Sequence, residues 1–299
     1  MTRSRLAVIL GPMRLPFLTL PPLCVLLGAA AAARDGAAVT AGPVLLALLG
    51  ALAAHVAVNA LNEYDDFRSR LDEITTRTPF SGGSGTLPAH PEAAPLALGI
   101  GLAAVAVTVA VGIHFLRRAG WGIVPLGLAG LLLVVLYTRW LTRSVVLCLL
   151  APGLGFGPLM VVGTAYVLGG RYGPTAWVAS LVPLFLVSGL LLLNQLPDAE
   201  ADARVGRRHL VVAHGRRVAV RVYGLLLLLT YVSVVGGWLA GVLPAWSLLV
   251  LLTLPLALAT WRGAAAHAAD IPALVPYLGR NVALVHAATL LLAVGLWVG

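Results

Sequence analysis

Charged side chains are scarce in this sequence of 299 residues: only 10% of the residues are charged, whereas 60% are hydrophobic. Soluble domains are about one quarter charged, so this composition excludes an ordinary soluble protein. Lysine is absent, and all 20 basic residues are arginines. The alternating pattern of a membrane β-barrel is absent as well. The sequence therefore predicts an all-α membrane protein, because helices satisfy their own backbone hydrogen bonds in lipid.

Cysteine is almost as rare, with Cys24 and Cys148 as the two examples, both in apolar runs. We expect no disulfide between them, since a buried cysteine often packs as a small hydrophobic residue. No Cys and His spacing indicates zinc. No serine, cysteine or lysine nucleophile is evident, so the sequence does not favour covalent catalysis.

Long apolar runs dominate what is present. Nine of them are long enough, or nearly so, to cross about 30 Å of hydrocarbon as helices. We predict one domain over residues 1–299 with nine transmembrane helices. The N-terminus resembles a signal peptide, but its long, proline-containing apolar stretch favours a retained first span. The predicted spans are approximately 15–33, 42–62, 94–116, 120–138, 145–168, 175–195, 218–240, 243–261 and 281–298.

The arginines predict the orientation. With nine spans, sixteen of the 20 arginines, from Arg3 to Arg280, fall on the side that holds the N-terminus. Positive residues accumulate in cytoplasmic loops, so this side is predicted to be cytoplasmic, with the C-terminus outside the inner (plasma) membrane. The formal net charge of +9 then reflects membrane topology and anionic ligands, and no nucleic-acid partner is predicted.

Nine of the 11 acidic residues lie in two predicted cytoplasmic connections, 63–93 and 197–217. Loops of this kind are often charged merely because they are exposed to water. The spacing favours a site, since Asn62 and Asp66 are four residues apart and share a helix face. Asn194, Asp198 and Asp202 form a second stripe if the helix continues through the proline between them. Two such carboxylate clusters at one membrane face predict a Mg²⁺ site.

Arginines follow both clusters, and guanidinium groups beside carboxylates suit a metal-bound diphosphate, because the arginine fork matches phosphate oxygens. The pattern Asn62, Asp66, Asp72, followed by Asn194, Asp198, Asp202, Gly206 and Arg207, resembles the UbiA superfamily of intramembrane prenyltransferases. The long gap before Asp72 is similar to the branch that prenylates 1,4-dihydroxy-2-naphthoate in menaquinone synthesis. The match also includes Arg14-Leu15-Pro16 and Tyr137-Thr138. Pro197 and Arg207 depart from that branch, which usually has Arg and Lys there.

The resemblance implies nine helices around a central cavity with a cytoplasmic loop cap, and Mg²⁺-dependent transfer of a polyprenyl group from polyprenyl diphosphate to a small, presumed aromatic acceptor. The carboxylates of Asp66, Asp72, Asp198 and Asp202 are expected to hold the metal. Asn62 and Asn194 would orient the phosphate or a metal-bound water, and the Tyr137 ring would stabilise an allylic cation or place the acceptor. Candidate diphosphate-binding residues are Arg14, Arg68, Arg77, Arg139, Arg207 and Arg208.

Several neighbouring residues receive a different interpretation. We expect Glu63, Asp65, Glu73 and Glu200 to be solvated and not to act as ligands. The Gly-rich segment 81–85 is either a phosphate cradle or a flexible connection. His55 is expected to pack in the bundle, and His209 is a weak candidate for phosphate contact.

Two alternatives remain open. One is a prenyltransferase of the same superfamily with a non-aromatic or tetrapyrrole acceptor. The other is a membrane transporter, although transporters need access from both membrane faces and carry charges mid-span, whereas the acidic residues here collect at one face.

Overall fold

The computed structural model describes residues 5–299, so Arg3 of the topology count lies outside the described residues. Within this range the chain forms helices and no strand, which confirms the all-α prediction. Eight helices are long and apolar enough to cross a membrane, and a ninth is shorter. They are α1 (Leu15–Arg34), α2 (Ala41–Arg68), α3 (Pro91–Ala119), α4 (Trp121–Leu136), α5 (Val145–Gly169), α6 (Pro174–Arg204), α7 (Leu210–Leu239), α8 (Ala245–His267) and α9 (Ile271–Val298).

Each predicted span corresponds to one of these helices. The predicted fourth span is the short one: at 1.5 Å per residue, α4 is about 24 Å long, less than the hydrocarbon thickness of about 30 Å. The protein is therefore a multi-pass membrane protein with eight full-length helices and one short apolar helix in the described part of the chain.

Helix α6 lies at the centre of the bundle and packs against α1, α5, α7 and α9. Of its most apolar window, 61% is buried inside the protein, compared with 22% for α2, so the two helices have different surroundings. Glycines allow α5 to approach α6 closely, because a Cβ atom on Gly153 would lie 2.1 Å from the carbonyl oxygen of Leu184. Small residues are the usual means of close packing between membrane helices.

Two proline-containing helices shape the interior. Helix α5 widens into a π-helix over Gly155–Val162, and such segments are frequent at functional sites. Helix α6 continues without a break through Pro183 and Pro197 to Arg204. The predicted persistence of this helix is confirmed, and the second acidic motif therefore lies on a regular helix.

The first acidic motif lies at the same end of the bundle. Helix α2 extends to Arg68, and the chain then forms short helices at Leu71–Ile74 and Thr86–Ala89, separated by the loop at 75–85. An ion pair between Arg207, just after α6, and Asp66 on α2 joins the two connections. This contact places both motifs at the same end of the bundle, as their shared direction along α2 and α6 predicts.

Candidate active site

One cavity of about 860 Å³ runs through the bundle and ends at the acidic motifs. Its wall follows α2 from Ala47 to Asp66, a distance of about 28 Å along the helix axis. Most of the wall is apolar, and the polar end contains nine of the predicted site residues. These are Arg14, Asn62, Asp66, Asp72, Tyr137, Asn194, Asp198, Asp202 and Arg207.

Arg207 lies between the two motifs. Its guanidinium forms an ion pair with Asp66, and its Nη1 donates to Asp202 Oδ1 at 2.9 Å. The other oxygen of Asp202 lies 2.9 Å from Nε2 of the buried His209. Burial alone would lower the pKa of Arg207, but the charges of Asp66 and Asp202 outweigh it and raise that pKa above its usual value. Arg207 is therefore a permanent cation between the paired motifs.

Three buried oxygen atoms at this end lack a hydrogen-bond partner among the described residues: Asp72 Oδ2, Asn194 Oδ1 and Asp198 Oδ1. Burial, followed by the charges of Asp66 and Glu63, raises the pKa of Asp72 to about 7. Unpaired buried oxygens of this kind fit a hard cation. In residues 5–299 no three His, Cys, Asp or Glu side chains are arranged to hold a metal by themselves. Mg²⁺ is usually held by one or two carboxylates, with water and phosphate oxygens completing its shell.

The prediction that Glu63 is solvated is wrong. Its side chain is fully buried and accepts hydrogen bonds from Arg14 Nε at 2.7 Å, Ser84 N at 2.7 Å and Ser84 Oγ at 2.8 Å. The same arginine reaches Asn62 Oδ1 at 3.4 Å. Glu63 thus joins the segment before α1 to the loop at 75–85, a contact between parts of the chain that local sequence spacing does not reveal.

The Gly-rich segment packs against both motifs, so it is not a free connection. The φ angles of Gly82, Gly83 and Gly85 are +80°, +73° and +70°. Residues that carry a side chain rarely adopt such angles. A Cβ atom on Gly83 would lie 2.8 Å from Asp72 Oδ1. On the other side, Ser81 and the Gly82 amide lie beside Asp198. The loop closes the polar end of the cavity.

Four predicted diphosphate-binding arginines do not line the cavity: Arg68, Arg77 and Arg208 are exposed, and Arg139 is engaged elsewhere. The guanidinium of Arg139 pairs with Asp65 at 2.8 Å while 60% of its side chain remains exposed. Asp65 is thus ion-paired and half-buried, which differs from the expected solvated state. Glu73 and Glu200 are exposed as predicted.

The fold and the site together define a class: a multi-pass membrane protein whose mostly apolar cavity ends at carboxylates and an arginine at one end of the bundle. A family model described as the UbiA prenyltransferase family matches residues 22–274, and the chain belongs to this family. The protein is therefore a prenyltransferase.

The chain is similar to the 1,4-dihydroxy-2-naphthoate octaprenyltransferase of Bacillus subtilis (strain 168), with 25% identity over 213 residues, or 71% of this chain and 67% of that protein. A solved structure of digeranylgeranylglyceryl phosphate synthase shares its fold, with a TM-score of 0.68 and 14% identity over 98% of this chain and 99% of that one. A UbiA homologue from Archaeoglobus fulgidus, solved with DMAPP and Mg²⁺, has a TM-score of 0.64 and 15% identity over 96% and 99% of the two chains.

Proposed function

We propose that this prenyltransferase uses Mg²⁺ to transfer a polyprenyl group from polyprenyl diphosphate to a small aromatic acceptor of the naphthoate or benzoate type. The observation that carries the proposal is the cavity of about 860 Å³ that connects an apolar channel to the two acidic motifs. A polyprenyl chain needs lipid-like surroundings, whereas its diphosphate needs charge. The naphthoate relative from Bacillus subtilis and the homologue bound to DMAPP and Mg²⁺ support the same assignment.

In this proposal Asp66, Asp72, Asp198 and Asp202 hold the metal, with Asn194 nearby. The unpaired oxygens of Asp72 and Asp198 make these two the best-fitting ligands, whereas Asp202 is already held by Arg207 and His209. When bound, Mg²⁺ supplies Lewis-acid stabilisation of the leaving diphosphate.

The other residues act on the substrates. The guanidinium groups of Arg14 and Arg207 bind diphosphate oxygens and stabilise the charge that develops as the allylic C–O bond breaks. Asn62 orients the same group. The ring of Tyr137 faces the cavity and stabilises the allylic cation, which the electron-rich acceptor ring then attacks. No covalent enzyme intermediate is required.

The test uses the purified protein with Mg²⁺, a radiolabelled prenyl diphosphate, and either 1,4-dihydroxy-2-naphthoate or 4-hydroxybenzoate. We expect prenylated product with the naphthoate preferred, no product in excess chelator, and no product from Asp66→Ala or Asp198→Ala. Glu200→Ala is the matched control, because this exposed carboxylate lies in the second motif outside the cavity wall. If only a non-aromatic alcohol were prenylated, the proposal of an aromatic acceptor would be refuted. Full activity in excess chelator would refute the proposal that Mg²⁺ is required.

We further propose that the acidic end of the cavity faces the cytoplasm of the cell, in its plasma membrane. Single cysteines at the exposed Thr76 and Ala213 test this orientation in a background without the buried Cys24 and Cys148. A membrane-impermeant reagent should label both positions after lysis and neither in intact cells. Labelling of both positions in intact cells would show that the acidic end faces the outside of the cell and would refute the proposed orientation.

A further inference from the structure

The α2 wall of the cavity carries polar side chains well inside the membrane span. His55 and Asn59 line the cavity together with Asn62 and Asp66, and their spacing places all four on one helix face. Along the helix axis, Asn59 lies about 10 Å and His55 about 16 Å from Asp66. These two residues therefore lie deeper in the membrane span than the carboxylates, on the wall of the mostly apolar channel.

Each of the two side chains has an unsatisfied nitrogen. Asn59 Nδ2 and His55 Nε2 are buried and have no hydrogen-bond partner among the described residues. A buried donor without a partner is costly, and polar side chains within a membrane span usually mark a ligand path. The His55 ring is fixed by an edge contact with Phe156, at 5.3 Å between ring centroids. The His55 ring is thus held in place, and neither His55 Nε2 nor Asn59 Nδ2 has a partner in the described part of the chain.

Three other polar residues on the cavity wall already have partners. Thr108 Oγ1 donates to the Ala104 carbonyl oxygen at 2.9 Å, and Gln195 Nε2 donates to Cys148 Sγ at 3.2 Å. His286 is bonded through both ring nitrogens, to the Val282 carbonyl oxygen and to Thr19. An apolar prenyl tail requires no unpaired donors, so the pair on α2 indicates a ligand that carries oxygen.

We propose that Asn59 and His55 form a subsite for the ring oxygens of the acceptor. The inference rests on the proposed aromatic acceptor and adds its location. The acceptor binds against α2, and the prenyl tail lies against α3, α4 and α5. Asn59 Nδ2 donates to one oxygen, and His55 Nε2 hydrogen-bonds a second. The two side chains are one helical turn, about 6 Å, apart along the axis, which suits oxygens at opposite positions of one aromatic ring.

The experiment compares Asn59→Leu and His55→Phe, which keep side-chain size and remove the hydrogen bond, with the wild type. Thr260→Val is the matched control, because Thr260 lies on α8 outside the cavity wall and its buried hydroxyl already donates to the Leu256 carbonyl oxygen at 2.7 Å. Each substrate is varied while the other is saturating. Loss of one hydrogen bond should raise the acceptor KM about tenfold, leaving the prenyl diphosphate KM within about twofold. The control should leave both values unchanged.

Acceptor binding is also measured directly, as the rise in the unfolding temperature of each detergent-purified protein when 1,4-dihydroxy-2-naphthoate is added. The wild type and the control should show the rise, and the two variants a smaller one. Asn59→Ala replaces Asn59→Leu if the latter does not accumulate.

The possible contrary results are distinct. If the wild type prenylates neither aromatic acceptor, the proposed function fails and the subsite with it. If the wild type is active but both variants keep the wild-type acceptor KM, the subsite alone is refuted. A rise only in the prenyl diphosphate KM, or an equal rise in the control, would likewise refute it.

Discussion

Glu63 is expected to hold the loop at 75–85 closed over the site. Its carboxylate accepts two hydrogen bonds from Ser84 and one from Arg14, and it is fully buried. Replacing Glu63 with Ala removes all three acceptor contacts. Glu63→Gln keeps one acceptor oxygen and the side-chain shape, but it removes the charge opposite Arg14 and replaces the other oxygen with an amide donor.

The magnitude follows from the number of contacts. Hydrogen bonds to a charged group contribute about 1.5–3 kcal/mol each, and Glu63→Ala removes two that bind Ser84. At the lower value this amounts to about 3 kcal/mol of loop closure, or about a hundredfold in the closed-to-open ratio. Glu63→Gln should cost about tenfold, because one acceptor oxygen remains.

Hydrogen exchange of the Ser84 amide measures this ratio directly, since the amide is protected when the loop is closed. The exchange rate should rise by the factors above, and turnover should fall with it, because the loop contacts Asp198. Asp65→Ala is the control, since its partner Arg139 is 60% exposed, a pair with so exposed a partner contributes little, and Asp65 makes no contact with Ser84. Unchanged exchange in Glu63→Ala, or an equal effect in Asp65→Ala, would refute the reasoning.

Three further outcomes are expected. Arg207→Met should lower the initial rate at least about a hundredfold, as loss of a charge-stabilising group does, whereas the exposed Arg208→Met should remain near wild type; equal effects would contradict the placement. Because burial raises the pKa of Asp72 to about 7, protons compete with Mg²⁺ below that pH. The half-saturating Mg²⁺ concentration should therefore fall as pH rises from 6 to 7 and level off above, and a flat titration would exclude this role. Gly127→Leu should shorten the longest prenyl diphosphate accepted, because Gly127 lines the cavity and a Cβ atom there would meet no other atom within 4 Å. Gly99→Leu has equally free space but lies off the cavity wall, so it should leave that length unchanged; identical product lengths would contradict this.

Helical periodicity was sufficient to predict the parts of the site that lie on long helices. Asn62 and Asp66 share a face of α2, and Asn194, Asp198 and Asp202 share a face of α6, because residues four apart repeat on a regular helix. The number of apolar runs likewise predicted the membrane fold, since a span must match the thickness of the bilayer.

The remainder depends on contacts between distant segments. Nothing in the local pattern distinguishes the buried Glu63 from the exposed Glu200, because the difference arises from Arg14 and Ser84, which reach Glu63 from 49 and 21 residues away. Arg207 and Arg208 are adjacent in the sequence, yet only the first lines the cavity. The positive-inside rule counts both arginines alike, so it cannot tell which of them lines the cavity.

Because α6 is uninterrupted, the number of residues between two positions on it fixes the distance between them. Val187, at the apolar part of the cavity wall, and Asp198 belong to the same rigid rod, so the spacing between tail and metal ligands is set by residue count. One inserted residue would advance everything beyond it by 1.5 Å and turn it by about 100°. That rotation would take Asp198 and Asp202 away from the cavity even though no side chain had been replaced. This stretch should tolerate many substitutions in redesigned or drifting sequences but no change in length.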